Sequence, residues 1–327
     1  MTMPAWVQTV YGGAETVSLG EAPLPTPKPD QVIVRVRSTA LNAADARLMH
    51  GDPYLVRLGF GLTKPKNPVR GMDLAGTITA VGANVTGFAV GEEIVAETPG
   101  GALATHVAVP ANRLVHRPDA VAADAASALP MAGGTAWQAL DAAGVKDGQR
   151  VLVIGASGGV GTFAVQLATL RGARVSALCG ERSRALAEEL GAEHTYDYRT
   201  VSAESLPKGN FDAIIEIAGS APLPALRDLL APGGTLVMVG GDGGKVLGPL
   251  SRMLRAAFLH KRGGRRIRSL MAVAKADVLA ELVALAADGR IRSIIEKEYV
   301  FEDAGTALAH LDSGRVVGKV VVRAPSE

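Results

Sequence analysis

Val151-Leu152-Val153-Ile154-Gly155-Ala156-Ser157-Gly158-Gly159-Val160-Gly161 carries the sharpest chemical signal in the chain. A β-branched run enters a glycine-rich turn and a helix opens behind it, the setting that gives the dinucleotide-binding spacing its meaning. Ala156, Gly158 and Gly161 fill the three small-residue positions of [G/A]-x-G-x-x-G. The first allows the tight turn, Gly158 lets a pyrophosphate approach the main chain, and Gly161 lets helix and strand pack closely. The N–H groups of Ser157, Gly158, Gly159 and Val160 then face an anion that the helix dipole favours. A glycine turn without a ligand is the competing reading, and the strand–turn–helix context weighs against it.

The next chemical choice falls at the adenosine ribose. A fold that prefers NAD places an acid at the end of the second strand, about 20 residues after the loop. Here that slot lies in Cys179-Gly180-Glu181-Arg182-Ser183-Arg184 and is filled by Gly180, with Arg182 two residues on. A small residue admits a 2′-phosphate and a guanidinium pairs with it bidentately, so NADP is expected. Two readings oppose this. A one-residue shift would bring Glu181 to the ribose, and Arg182 with Arg184 could be a solvated basic helix edge.

These residues need a framework, and the pattern along the chain supplies two. The first third reads as β-rich: 32–37, 76–82, 93–96 and 106–109 are short β-branched runs, closely spaced as in a compact barrel. Residues 121–143 are alanine-rich and read as helical, interrupted at Gly133-Gly134. Beyond them apolar strands (151–154, 174–178, 212–217, 235–239) alternate with helices (160–170, 183–190, 224–230). That alternation indicates a doubly wound parallel sheet covered on both faces, hence an α/β protein. The tail continues with a helical run over 275–287, the segment 299–301, a helix from Glu302 and a strand over 316–322.

Composition sets the outer limits. Of 327 residues, 48% are apolar and 20% charged, which excludes global disorder. Lys+Arg 34 against Asp+Glu 32 leaves +2, too little to draw the whole chain to nucleic acid or an anionic membrane. The single cysteine, Cys179, excludes an internal disulfide framework and any metal site built from several cysteines. The first 13 residues lack the charged-then-apolar run of a secretory signal, and no apolar stretch reaches the roughly 18–20 residues of a membrane span. A cytoplasmic location is expected.

Taken together, Leu41-Asn42-Ala43-Ala44-Asp45, Gly71-Met72-Asp73-Leu74-Ala75-Gly76, Leu129-Pro130, Gly134-Thr135-Ala136, the glycine loop, Leu190-Gly191-Ala192 with Asp197-Tyr198, and Gly318-Lys319-Val320-Val321 give a wider likeness. Over essentially its whole length the chain resembles the medium-chain dehydrogenase/reductase superfamily, in its zinc-free quinone oxidoreductase and zeta-crystallin-like branch. The resemblance implies a β-rich GroES-like catalytic domain from both chain ends (1–122 and 293–327), an inserted Rossmann NADP-binding domain (123–292), and an active site in the cleft between them. It also implies a small-molecule substrate and a homodimer.

Zinc-dependent relatives place a cysteine where this chain has Asn42 and Gly-His-Glu where it has Gly71-Met72-Asp73. Asn42 and Met72 supply neither thiolate nor imidazole, so no metal is expected. The resemblance sets Asn42 beside nicotinamide and substrate, with its amide able to orient either. It gives Thr135 to the nicotinamide ribose or phosphate, Arg182, Ser183 and Tyr198 to the 2′-phosphate, and Ala218, Gly219, Val239 and Gly240 to the cofactor's border. Lys319 would reach the cofactor from the returning tail. Each has a plainer alternative: Thr135 as a helix cap, Tyr198 as edge packing, Lys319 as a surface charge.

The proton donor is sought among Asp45, His50, Asp52, Tyr54 and Asp73. Tyr54 is the candidate for bonding a substrate carbonyl or protonating an enolate; solvent could serve equally. Asp45 is read more as a support for the Asn42 loop than as an acid or base. Residues 246–268 combine apolar residues at helical spacing (Leu250, Met253, Leu254, Ala257, Phe258) with seven basic ones, Arg252, Arg255, Lys261, Arg262, Arg265, Arg266 and Arg268. A lid or dimer-edge helix with a solvated basic face is favoured over a membrane-surface helix or an RNA patch, and the lack of an aromatic-rich basic groove argues against single-strand binding. The expected function is NADPH-dependent reduction of an enone, enoyl substrate or quinone. A zinc-free alcohol or aldehyde dehydrogenase and an NADPH-binding protein with a mainly binding role are the alternatives.

Overall fold

In a computed structural model that describes residues 1–219, 221–239, 252, 256 and 264–325, the β-rich start begins with an antiparallel pair. Strands β1 (Thr2–Gln8) and β2 (Val17–Pro23) form it, and Trp6 Nε1 donates to Phe301 O at 2.7 Å. There follow β3 (Gln31–Leu41), α1 (Ala43–His50), a short α2 (Arg57–Phe60), β4 (Asp73–Val81), β5 (Glu93–Glu97), β6 (His106–Pro110) and β7 (Leu114–His116). Strand β3 organises this region. Its first half pairs with β6 and its second half with β15 (Lys319–Arg323), while β4 runs antiparallel along its other side. The β3–β4 register shifts after Ile33 and again after Val36. Such irregularities bend a strand and let one sheet curl into a barrel-like form. Val32, Val34, Val36, Leu74, Ile78 and Ile94 fill its interior.

Two helices follow, α3 (Ala123–Ser127) and α4 (Pro130–Ala143). The expected interruption at Gly133-Gly134 is absent, and the break lies at Ala128-Leu129, just before Pro130. Proline opens a helix readily but does not continue one. Gly133 serves packing instead, since a Cβ there would stand 2.9 Å from Leu282 Cδ1.

Strands β8 (Arg150–Ile154), β9 (Arg174–Cys179), β10 (Ala192–Asp197), β11 (Phe211–Glu216), β12 (Leu230–Met238) and β13 (Arg266–Ser269) make a six-stranded sheet ordered β10-β9-β8-β11-β12-β13, every pair parallel. Helices α5 (Gly159–Leu170), α6 (Arg184–Glu189) and α7 (Leu223–Leu229) cross over between them. Counted from β8, this is the 3-2-1-4-5-6 order of a dinucleotide-binding sheet. The order reverses between β8 and β11, and that switch point is where such sheets take ligands. Strands β10 and β13 escape the periodicity reading because polar and charged residues interrupt both.

Arg266 and Arg268 therefore lie on a sheet strand and not on an amphipathic helix, a correction to the reading of 246–268; most of that segment falls outside the described residues. The tail adds α8 (Ala276–Ala287), β14 (Ile295–Val300) and α9 (Ala304–Asp312) before β15. The chain falls into two units, Met1–Gly134 with Ala274–Glu327, and Thr135–Val273. Residues 123–134 and 274–292, read from the sequence with the nucleotide-binding part, join the first unit because α3 packs on β3 and β4 and α8 on β7. No helix among the described residues is long and apolar enough to cross a membrane.

Candidate functional site

Three strand ends meet at one edge of the barrel sheet. Leu41 at the end of β3 pairs with Val320 at the start of β15, and Ala40 pairs with Asp73, the first residue of β4. Asn42, Asp73 and Lys319 are thereby brought together from positions far apart in sequence. Lys319 Nζ donates to Asn42 Oδ1 and stands 3.6 Å from Asp73 Oδ2. Asn42 Nδ2 donates to Asp73 Oδ2 at 2.9 Å and to Ala40 O at 3.3 Å, and Asp73 also accepts from Met131 N at 3.2 Å. Asp73 is 0% exposed, Lys319 3% and Asn42 7%.

Asp45 braces this cluster from below. One carboxylate oxygen accepts from Asn42 N and the other from Gly71 N, both at 2.9 Å. Gly71 is held at φ +88°, where a Cβ would strike Leu103 N at 2.7 Å. With both oxygens on main-chain N–H groups, Asp45 is placed as a support for the loop. Burial sets the electrostatics: it pushes the Asp73 carboxyl up to about 7 against the pull of Lys319, and lowers Lys319 against the pull of Asp73. Burial also raises Asp45 and Glu97, which faces Asp73 across β4–β5.

Of the other residues considered for proton donation, His50 and Tyr54 have partners of their own. His50 pairs with Asp312 at 2.9 Å, and Tyr54, half-exposed, stacks on Arg57, whose carbon lies 4.6 Å from the ring centre. Tyr54 has no described contact with Asn42, Asp45, Asp73 or Lys319.

In the parallel sheet the loops after the strand ends gather the second constellation. Gly155 turns at φ +84° against Ala218, and a Cβ on Gly161 would meet Gly155 O at 2.2 Å. Gly158 is different, since a Cβ there would find only Gly155 O, at 3.8 Å. Its openness is therefore not required by packing, and it leaves room for a ligand against the free N–H groups of the first turn of α5. Ala218 and Gly219 follow β11 and are exposed, and Val239 follows β12, its N–H bonded to Glu216 O at 2.8 Å. Thr135 sits within α4 and is not a cap. Gly240 lies outside the described residues.

Beyond β9, Tyr198 and Arg199 reach over Gly180, each 3.4 Å from where a Cβ would be, and Arg199 stacks on the Tyr198 ring. Arg182 is exposed and Ser183 is buried. Sequence reasoning missed Arg199; its adjacency to Tyr198 was the signal available. Glu181 is engaged by Arg184 at 3.1 Å, which leaves less reason to place it on a ribose. Cys179, at the end of β9, is buried, and its thiol is pushed up to about 11 by that burial. Three of the basic residues of 246–268 are also engaged: Arg252 bonds Glu216 at 2.6 Å, Arg265 pairs with Asp228 at 3.7 Å, and Arg268 bonds Ala142 O.

Comparison with known proteins agrees with this layout. Residues 28–119 match the family model for the alcohol dehydrogenase GroES-like domain, and 190–322 match that for zinc-binding dehydrogenase. A chloroplast envelope quinone oxidoreductase homolog from Arabidopsis thaliana is 33% identical over 326 residues, covering 95% of each chain. The chain belongs to the medium-chain dehydrogenase/reductase superfamily, in its quinone oxidoreductase-like branch. Another relative in this superfamily, the mitochondrial NAD(P)H oxidoreductase RTN4IP1 of Mus musculus, is 31% identical and covers 98% of this chain and 89% of its own. The solved quinone oxidoreductase from Coxiella burnetii superposes with a TM-score of 0.87 at 25% identity, over 99% of both chains. The protein is thus an oxidoreductase of this superfamily. Among its described residues no group of three or more His, Cys, Asp or Glu side chains is arranged to hold a metal ion.

Proposed function

We propose that this protein is an NADPH-dependent reductase of quinones or of C=C bonds conjugated to a carbonyl, acting by hydride transfer without zinc. The Asn42–Asp73–Lys319 cluster carries this reading. A catalytic zinc takes three protein ligands from thiolate, imidazole and carboxylate. At the matching positions this chain offers an amide, the thioether of Met72, and a carboxylate already bonded by an ammonium and an amide. These donors do not fit zinc. Oxidising an alcohol without a Lewis acid requires a base at the hydroxyl, whereas reducing an electron-poor double bond asks mainly for positioning and hydrogen bonding. The relatives named quinone oxidoreductase and NAD(P)H oxidoreductase support the same class.

Bound NADPH would supply the hydride. The open face of Gly158 and the N–H groups of Ser157, Gly159 and Val160 would hold its pyrophosphate. Arg182, Ser183, Tyr198 and Arg199 would hold the 2′-phosphate, and Thr135, Ala218, Gly219 and Val239 would border the rest. One proton accompanies each hydride, from Tyr54 or from solvent. A cytoplasmic homodimer belongs to the same proposal.

Purified protein, assayed with NADPH and NADH across quinones, enones and simple aldehydes, should oxidise NADPH with a quinone or an enone and leave aldehydes untouched. It should contain no stoichiometric zinc, and a chelator should not change its rate. Turnover of aldehydes alone, or a zinc ion needed for activity, would overturn the reading.

A further inference from the structure

Glu216 ends β11 at the point where the strand order reverses, flanked across the sheet by Ile154 of β8 and Met238 of β12. It is buried in these apolar surroundings, and the side chain of Arg252 meets it there, itself 14% exposed. Two guanidinium nitrogens make three bonds. Nη2 donates to Glu216 Oε1 at 2.6 Å and to Ala221 O at 2.8 Å, and Nη1 donates to Gly219 O at 3.0 Å. Glu216 Oε2 has no hydrogen-bond partner among the described residues. A buried ion pair adds little net stability, because desolvation offsets attraction, and an unsatisfied carboxyl oxygen costs more still. Stability alone does not account for this arrangement.

Its effect is geometric. A guanidinium is a planar fork of donors, so anchoring it on a strand residue fixes where its remaining N–H groups hold main-chain carbonyls. Those carbonyls belong to the segment that leaves β11, and that segment lies against the glycine turn: a Cβ on Gly155 would meet Ala218 N at 3.1 Å. We infer that Glu216 and Arg252 are positioning residues: the carboxylate anchors the guanidinium, which holds the Gly219 and Ala221 carbonyls and so sets Ala218 and Gly219 for the nicotinamide cofactor before it binds. The inference rests on the proposed place of those two residues at the cofactor's border. Order supplied in advance lowers the cost of binding. The 2′-phosphate is proposed to sit beyond β9, two strands from β11, so this clasp should serve NADPH and NADH alike.

Two independent readouts test this. The first is cofactor affinity by fluorescence titration. Arg252→Met should weaken NADPH and NADH by the same factor, at least fivefold, and Glu216→Leu should do likewise. The double variant should be no more than twofold weaker than either single one, because both remove one clasp. Glu216→Gln keeps an oxygen for the guanidinium and should stay within threefold of wild type. Losses that multiply, a loss for NADPH with NADH unchanged, or a Glu216→Gln variant as weak as Glu216→Leu would each overturn the inference. Should a single variant fail to fold, the pair Glu216→Leu with Arg252→Met, which leaves no charge buried alone, is compared with Glu216→Gln instead.

The second readout needs no cofactor. In hydrogen exchange followed by mass spectrometry, the peptide over 216–222 should exchange at least threefold faster in Arg252→Met, or in the double variant, than in wild type. The peptide over 151–154 should keep its rate. Equal rates over 216–222 would show that Arg252 holds nothing there and would overturn the inference. If the wild type binds neither NADPH nor NADH, the proposed function fails, and the exchange rates still decide whether the clasp orders this segment.

Discussion

The two constellations bind by opposite means. At the barrel edge the working groups are side chains, buried and charged, drawn from residues 42, 73 and 319 by strand pairing. In the parallel sheet they are mainly main-chain N–H groups, left open by the absence of a side chain at Gly158, while Gly155 and Gly161 allow the turn and its close packing. A main-chain site is written in consecutive residues and tolerates little added volume. A side-chain site is written across the whole chain and answers to charge and orientation. Changes in the first region should therefore appear in kcat and pH dependence, and changes in the second in cofactor affinity and folding.

The largest effect should separate two glycines of one turn. Gly161→Ala forces a Cβ to 2.2 Å from Gly155 O and should destabilise the protein by at least ~2 kcal/mol, read by urea unfolding. Gly158→Ala, with nothing nearer than 3.8 Å, should stay within ~1 kcal/mol of wild type yet lose at least tenfold in NADPH affinity. Equal destabilisation by both would mean that Gly158 is there for packing and not for a ligand.

Asn42→Ala comes next. Turnover should fall roughly 10–100-fold, the loss of one orienting bond worth ~1.4–2.7 kcal/mol at the transition state. NADPH affinity, measured by fluorescence titration, should change far less. Full turnover in this variant would detach the barrel-edge cluster from the chemistry.

Arg182→Ala should weaken NADPH by ~1.5–3 kcal/mol, as for a lost charge-assisted bond, and leave NADH nearly unchanged. Arg199→Ala should show the same selectivity to a smaller degree. If both cofactors weaken together in calorimetric titrations, the arginines serve the structure and NADP preference lies elsewhere.

The smallest effect concerns pH. Asp73, raised to about 7, keeps in the fold a proton that the unfolded chain releases near 4. Its share of stability is full at acid pH and is lost as pH rises from about 4 through about 7. Glu216, also raised to about 7 by burial against the pull of Arg252, acts in the same direction. Asp73→Asn should therefore narrow the difference in Tm between pH 5.5 and 7.5 relative to wild type. An unchanged difference would show that Asp73 titrates in the fold as it does in the unfolded chain.

What the sequence made legible follows from the same contrast. The turn at 155–161 and its flanking strand and helix are readable because each glycine acts on its immediate neighbours. Asn42 and Lys319 were named only through the family likeness, and nothing local shows that they meet; the β15–β3–β4 pairing does that. Tyr54 and His50 fall near Asn42 in sequence, yet α1 intervenes and they bond elsewhere. Gly133-Gly134 misled because glycine signals a break by default, and only the approach of Leu282 explains it inside a helix. Strands β10 and β13 were missed because edge positions relax the demand for apolar residues.

Cys179 has a bearing on durability. Quinones and enones are electrophiles that alkylate thiolates, so a protein that handles them risks modifying itself with each encounter. This chain has one thiol, buried at a strand end and raised to about 11, so that about one molecule in ten thousand carries thiolate at pH 7. Folded protein should accordingly withstand N-ethylmaleimide that labels the urea-unfolded chain at once. The same burial that completes the sheet core shields this one thiol from the compounds the protein is proposed to reduce.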